Sequence, residues 1–267
     1  MEANLRSRLI TALIGIPLLI LIIGWAHFWL FAAVFFLISL MALREYFAMV
    51  FPGRVREQIV GIVFGGALSL LLILPDVTNP QPALGLVVVT CLSIYLFMPG
   101  GLEEKLRRLA WTLLGGIYLG YLFPHWVLLF RLPQGRAWVF FALSVIMVGD
   151  TSAYVFGKRF GKRKLAPAIS PGKTVEGALG YVAGSVIAGC IGANLFVEHL
   201  SWLEAVVLAG LLSILGQIGD LFESWVKRVF AVKDSSTLLP GHGGLLDRLD
   251  SLIFPAVFTT AYLRVFH

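Results

Sequence analysis

Charge is scarce in this sequence. Only 13% of its 267 residues are Asp, Glu, Lys or Arg, where an ordinary soluble domain carries about a quarter. Cysteine is nearly absent: Cys91 and Cys190 are the two, and both fall inside apolar runs. That excludes a disulfide framework and gives no support to a zinc site, and it leaves the pair as small buried hydrophobes. The glycine spacing before Lys173 does not make a Walker loop. No internal repeat is evident, which weakens an inverted-repeat transporter. The apolar runs do not alternate with polar residues, so a barrel is excluded. The first run lacks a small-residue cleavage site and is followed by further runs, so it reads as retained rather than as a signal peptide. A net charge of +6 says nothing of nucleic acid in such a chain, because the location of the cations matters more than their sum.

What the sequence does have is apolar length. With 58% apolar residues, runs of about 17–25 residues recur, each able to cross a hydrocarbon core of roughly 30 Å. The expected fold is all-α, a polytopic integral membrane protein with about nine spans. These lie near 9–25, 28–48, 58–74, 83–98, 109–130, 137–156, 177–197, 202–221 and 250–266. They form a single membrane-embedded domain, 1–267. Within it, 1–130 serves as scaffold and as the surface for dimer and lipid contacts, and 137–266 carries the catalytic helices and cytoplasmic loops. With the N-terminus in the cytoplasm, eighteen of the 21 Lys and Arg residues fall inside. Only Arg131, Arg136 and Arg264 fall outside, a strong positive-inside bias that also puts the C-terminus outside. Trp25, Trp29, Trp138 and Trp202 sit near span ends, as an interfacial belt would. Gly65, Gly66, Gly115, Gly116, Gly180 and Gly184 suggest close helix packing. The long polar loops, 157–176 and 222–249, are both cytoplasmic in this arrangement.

Two acids stand at membrane depth, Asp150 in IMVGDTSAY and Asp220 in GQIGDLFES. Ionised carboxylates there are costly unless paired or metal-bound, so they are candidates for function, with helix-locking ion pairs as the alternative. Asp220, Glu223 and Ser224 share a helix face by their spacing, and so would Asp247 and Asp250 at the start of the last span. Two helix ends presenting carboxylates suit an octahedral Mg²⁺ that also takes phosphate oxygens and waters. A His/Cys metal does not fit this donor set. Between the acids lies PGHGGLLDR, whose Gly241, Gly243 and Gly244 let backbone N–H groups approach an anion. Lys227, Arg228, Lys233 and Arg248 flank it, either as phosphate ligands or as membrane anchors. In ISPGKTVEG, Pro171 and Gly172 are expected to turn the chain, with Lys173 beside a helix start and Glu176 opening the next span. FGKRFGKRK is basic and faces anionic headgroups. Metals and cations that bridge phosphates are the apparatus of phosphoryl or nucleotidyl transfer.

The run Ser224-x-Val226-Lys227-Arg228, Lys233-Asp234, Pro240-Gly241-His242-Gly243-Gly244-Leu245-x-Asp247-Arg248-Leu249-Asp250 resembles the signature of the phosphatidate cytidylyltransferases. The segments DTSAY, FGKR and SPGKTVEG, from Asp150 to Gly177, resemble that family as well. The resemblance implies transfer of the cytidylyl group of CTP to phosphatidate, with Mg²⁺ and a second cation left open. It implies a homodimer among membrane lipids, no nucleic-acid partner, and an active site on the cytoplasmic face of the inner membrane. It implies that Asp220 and Asp247 hold the metal, with Asp250 and Asp150 as further candidates. Asp220, Asp247, Lys227 and Arg248 would be catalytic. Lys173, Ser224, Arg228, Lys233, Gly241, His242, Gly243 and Gly244 would bind substrate phosphates. His242 either donates to a phosphate oxygen or shapes the turn. An ion transporter and a CTP-dependent lipid kinase are the rival classes. A CDP-alcohol phosphotransferase is disfavoured, because no DG-x-x-AR run is present.

Overall fold

The apolar runs become helices because each offers every backbone N–H a partner within its own segment, the condition for crossing hydrocarbon. The computed structural model describes residues 13, 15, 17–74, 80–197, 199–236, 238 and 243–266. The expectations for Gly241 and His242, and for the start of the first run, lie outside the described residues. After a helical stretch at 17–25 come α1 (Phe28–Val50), α2 (Val55–Ile73), α3 (Gln81–Phe97) and α4 (Leu102–Gly115). A π-helical segment, Gly116–Leu122, leads to α5 (His125–Arg131) and α6 (Gly135–Phe160). A two-stranded antiparallel hairpin follows, β1 (Lys164–Ala166) and β2 (Ser170–Thr174), and then α7 (Val175–Phe196) and α8 (Trp202–Val229). A single turn, α9 (Leu246–Leu249), precedes α10 (Ile253–Phe266).

Among the described residues, six segments are long and apolar enough to cross a membrane: α1, α2, the run Leu102–Arg131, α6, α7 and α8. Helices α3 and α10 are apolar but shorter. The described chain is thus an all-α membrane fold with one small hairpin that the sequence reading did not foresee.

The chain divides into two compact units, 1–128 with 234–247, and 129–233 with 248–267. In the first, buried side chains reach across helices to backbone carbonyls. Ser39 donates to Leu119 O at 2.8 Å and Tyr46 to Trp111 O at 3.1 Å. Gly65 and Gly120 meet backbone to backbone, where no Cβ would fit. At one end, Arg54 pairs with Glu104 at 2.8 Å and Arg108 with Glu57 at 2.9 Å. In the second unit α6 and α7 pack closely. Gly184 faces Ser152, Gly180 faces Phe156, and Ser185 donates to Val145 O at 3.0 Å. The expectation of close packing at these glycines is met, for the reason given: a missing Cβ lets helices approach.

Three local expectations change. Trp138 is 3% exposed and packs on Phe141 and Tyr262, so it is core and not an interfacial anchor. Pro171 and Gly172 lie on β2, and the turn is at 167–169. The pairing of Ala166 with Ser170 closes the hairpin over those three residues, leaving Pro171 beyond the turn. Asp247 and Asp250 do not share a helix face: Asp247 is in α9, Asp250 lies in the bend after it, and α10 starts only at Ile253.

Candidate functional site

The expected residues divide between the units. Asp247, Gly243 and Gly244 fall in the first, and Asp150, Lys173, Asp220, Ser224, Lys227, Arg228, Lys233, Arg248 and Asp250 fall in the second.

In the second unit, α8 continues two turns past the apolar span, so Asp220, Glu223, Ser224, Lys227 and Arg228 share one unbroken helix. A capping box at Ser201 and Glu204 sets its start, and thereby its register. The hairpin holds Lys173 beside α7, whose N-cap Thr174 accepts from Gly177 N at 3.1 Å. In the first turn of α7, Glu176 accepts from the backbone N–H of Lys162 at 3.0 Å and of Arg163 at 3.2 Å, which folds the basic loop back onto the helix. Lys173 Nζ thereby reaches Asp220 Oδ1 at 2.7 Å.

Asp150, from the middle of α6, accepts from Ser251 Oγ at 3.0 Å. Asp150, Lys173 and Asp220 line one cavity of about 400 Å³, together with Tyr154, Lys158, Tyr181 and Gln217. Ser224 Oγ stands 3.5 Å from Asp220 Oδ1, at the limit of a hydrogen bond. Arg228 donates from Nε to Ile169 O at 3.2 Å and from a terminal nitrogen to Val232 O at 3.0 Å, fastening the hairpin turn to the end of α8. Lys233 and Arg248 are exposed.

In the first unit, Asp247 accepts from Gly244 N at 2.7 Å, from Ser235 N at 3.0 Å and from Ser235 Oγ at 3.2 Å. The glycines are explained by this contact. Gly243 has φ +79°, and a Cβ there would sit 2.7 Å from Asp247 Oδ2. A Cβ on Gly244 would collide with Ser235 Oγ. An anion does meet the N–H of this turn, and it is the chain's own carboxylate.

A family model described as the cytidylyltransferase family matches residues 6–266. The chain belongs to the cytidylyltransferase family. It is 35% identical to a phosphatidate cytidylyltransferase of Synechocystis sp., over 94% of this chain and 93% of that protein. A phosphatidate cytidylyltransferase of Staphylococcus epidermidis is 34% identical, over 95% of both chains. One from Brucella abortus is 35% identical, over 99% of this chain and 95% of that protein.

For a cytidylyltransferase the donor set can be tested against Mg²⁺. Among the described residues no three or more His, Cys, Asp or Glu side chains gather to cage an ion. Mg²⁺ does not need such a cage, since it is held by one or two carboxylates with phosphate oxygens and waters completing the shell. Asp150 and Asp220 on one cavity wall, with no thiol or imidazole among its lining residues, fit that chemistry.

Glu45 was missed by the sequence reading, as were Tyr181, Gln217 and Ser251. The rule that singled out Asp150, an acid within an apolar helix, applies equally to Glu45 in LREYF. Its neighbour Arg44 gives it the look of a span-end anchor.

In this cytidylyltransferase Lys227 is buried and pairs with Glu223 at 2.6 Å. Lys227→Ala removes the ammonium beside a carboxyl only 2% exposed, a loss worth about 3–5 kcal/mol for a buried pair. Thermal unfolding in detergent should therefore show a lowered midpoint, recovered in large part by Glu223→Gln with Lys227→Met. An unchanged midpoint for Lys227→Ala would remove the structural role.

Proposed function

We propose that the chain transfers the cytidylyl group of CTP to phosphatidate, giving CDP-diacylglycerol and pyrophosphate in phospholipid biosynthesis. The observation that carries this reading is the convergence of Asp150, Lys173 and Asp220 on one cavity, in a member of the cytidylyltransferase family. An oxygen of the lipid phosphate attacks the α-phosphorus of CTP. The bond from that phosphorus to the bridging oxygen breaks, and pyrophosphate leaves with the electron pair. The attacking phosphate is already anionic, so no strong base is required.

In this reading Asp220 and Asp247 would hold Mg²⁺, with Asp150 and Asp250 as further ligand candidates and a second cation left open. Bound there, the metal would neutralise charge developing on the phosphates. Lys227 and Arg248 act on the reacting phosphates. Lys173, Ser224, Arg228, Lys233 and the glycine-rich turn with Gly241, His242, Gly243 and Gly244 bind the remainder. Lys173, which pairs with Asp220, would bind a substrate phosphate beside that carboxylate.

The same reading has nine spans, the six long helices being joined by α3, α10 and the helical stretch at 17–25. The N-terminus is cytoplasmic, the C-terminus is outside, and the site faces the cytoplasm of the inner membrane. The protein acts as a homodimer among membrane lipids, with no nucleic-acid partner.

The test is an assay of the purified protein in micelles with α-³²P-labelled CTP, phosphatidate and Mg²⁺. Label should enter the organic phase only when phosphatidate and Mg²⁺ are both present. CTP consumed to CDP without labelled lipid would favour a kinase. Intact CTP with a folded protein would overturn nucleotidyl transfer altogether.

A further inference from the structure

Glu45, near the end of α1, is 7% exposed, yet its carboxylate is saturated with donors. Oε1 accepts from Ser236 Oγ at 2.6 Å and from Leu245 N at 3.0 Å. Oε2 accepts from Leu246 N at 2.8 Å and from Ser235 Oγ at 3.2 Å. All four donors belong to 234–247, the segment that carries Asp247, and both ends of that segment are held: Ser235 and Ser236 at one, Leu245 and Leu246 at the other. Ser235 Oγ stands 3.2 Å from Glu45 Oε2 and 3.2 Å from Asp247 Oδ2, so its one proton is shared between the two carboxylates. Gly244 closes the arrangement, since a Cβ there would lie 2.7 Å from Glu45 Oε2. A buried carboxylate is costly unless hydrogen-bonded, and four donors satisfy this one while tying a distant stretch of chain to a long helix.

We propose that Glu45 is a positioning residue, the anchor that fixes residues 243–247 and hence the aim of the Asp247 carboxylate. This rests on the cytidylyl-transfer reading of the site. It also gives α1, in the half of the chain expected to be scaffold, a direct part in catalytic geometry. Glutamine in place of Glu45 keeps the size but leaves one acceptor oxygen, and its NH₂ would face donors. A catalytic group displaced by about 1 Å can lose on the order of 10²-fold in rate.

The experiment compares wild type, Glu45→Gln and Ser236→Ala in detergent by steady-state kinetics and amide hydrogen exchange. Glu45→Gln should lower kcat roughly 10–100-fold, with KM for CTP and for phosphatidate within about threefold of wild type. Faster exchange should be confined to residues 235–236 and 243–247, with α1–α4 protected as before. Ser236→Ala, which removes one donor of the four, should show a smaller loss in the same direction, and it carries the test if Glu45→Gln does not fold. A Glu45→Gln protein with wild-type kcat, or kinetic loss accompanied by faster exchange throughout the first unit, would overturn the proposal. So would Ser236→Ala matching wild type in both readouts. Failure of the wild type to make labelled lipid would instead sink the functional reading, and exchange at residues 245 and 246 would still report whether Glu45 anchors the segment.

Discussion

Asp247→Asn should reduce cytidylyl transfer by roughly 10²–10³-fold or more, the scale on which removal of one charge-stabilising group acts in a transition state. Two causes add. The substitution removes a negative charge from the residue proposed to hold the metal. It also sets an amide NH₂ among the N–H groups of Gly244 and Ser235, which the carboxylate now accepts. The global fold should survive, because Asp247 sits in a single helical turn rather than in a packed helix pair. Transfer of ³²P from CTP into lipid, measured beside a thermal unfolding curve, checks both halves. Full activity in a folded variant would remove Asp247 from the site.

Asp220→Asn and Lys173→Met carry the second large effect. Each should lower turnover by about 10²-fold or more. The Lys173 and Asp220 side chains are 25% and 32% accessible, but Lys173 Nζ itself is buried, so each single variant should also lower the unfolding midpoint by more than loss of a solvent-exposed pair would. Because the two groups face each other at 2.7 Å, their effects should not be independent. The double variant should fall short of the product of the single losses, the sign of residues acting through one contact. Independent, multiplying losses would mean that Lys173 and Asp220 serve different steps. Single variants with wild-type turnover would place the chemistry outside this cavity.

The polar cluster from Ser224 to Asp250 was legible because its surroundings are so apolar. In such a chain a run of cations, acids and glycines needs a reason, and the 3.6-residue period already put Asp220, Glu223 and Ser224 on one side of a helix. Their neighbours' partners were only partly legible. The i,i+4 spacing in FESWVKR offers Glu223 to Lys227, but nothing in it tells that Arg228 reaches the Ile169 carbonyl 59 residues earlier in the chain. The break between α9 and α10 had a signal in the sequence: Pro255 fits only the first turn of a helix, which sets the start of α10 at Ile253 and not at Asp250.

By itself the sequence determined the class, a chain of long apolar helices, through the cost of leaving backbone polar groups unpaired in hydrocarbon. It determined the candidate chemistry through the types of its few ionisable residues, and the family through their order and spacing. Only the tertiary structure decided which carboxylate meets which donor. Asp220 faces a lysine delivered by a hairpin, and Asp247 is wrapped by its own glycine turn. Glu45, about 200 residues away in sequence from Leu246, accepts from the Leu246 N–H beside that turn. Such pairings follow from how helices pack and loops close. Where they join residues far apart in sequence, as Lys173 with Asp220 and Glu45 with Leu246, local composition and periodicity do not encode them.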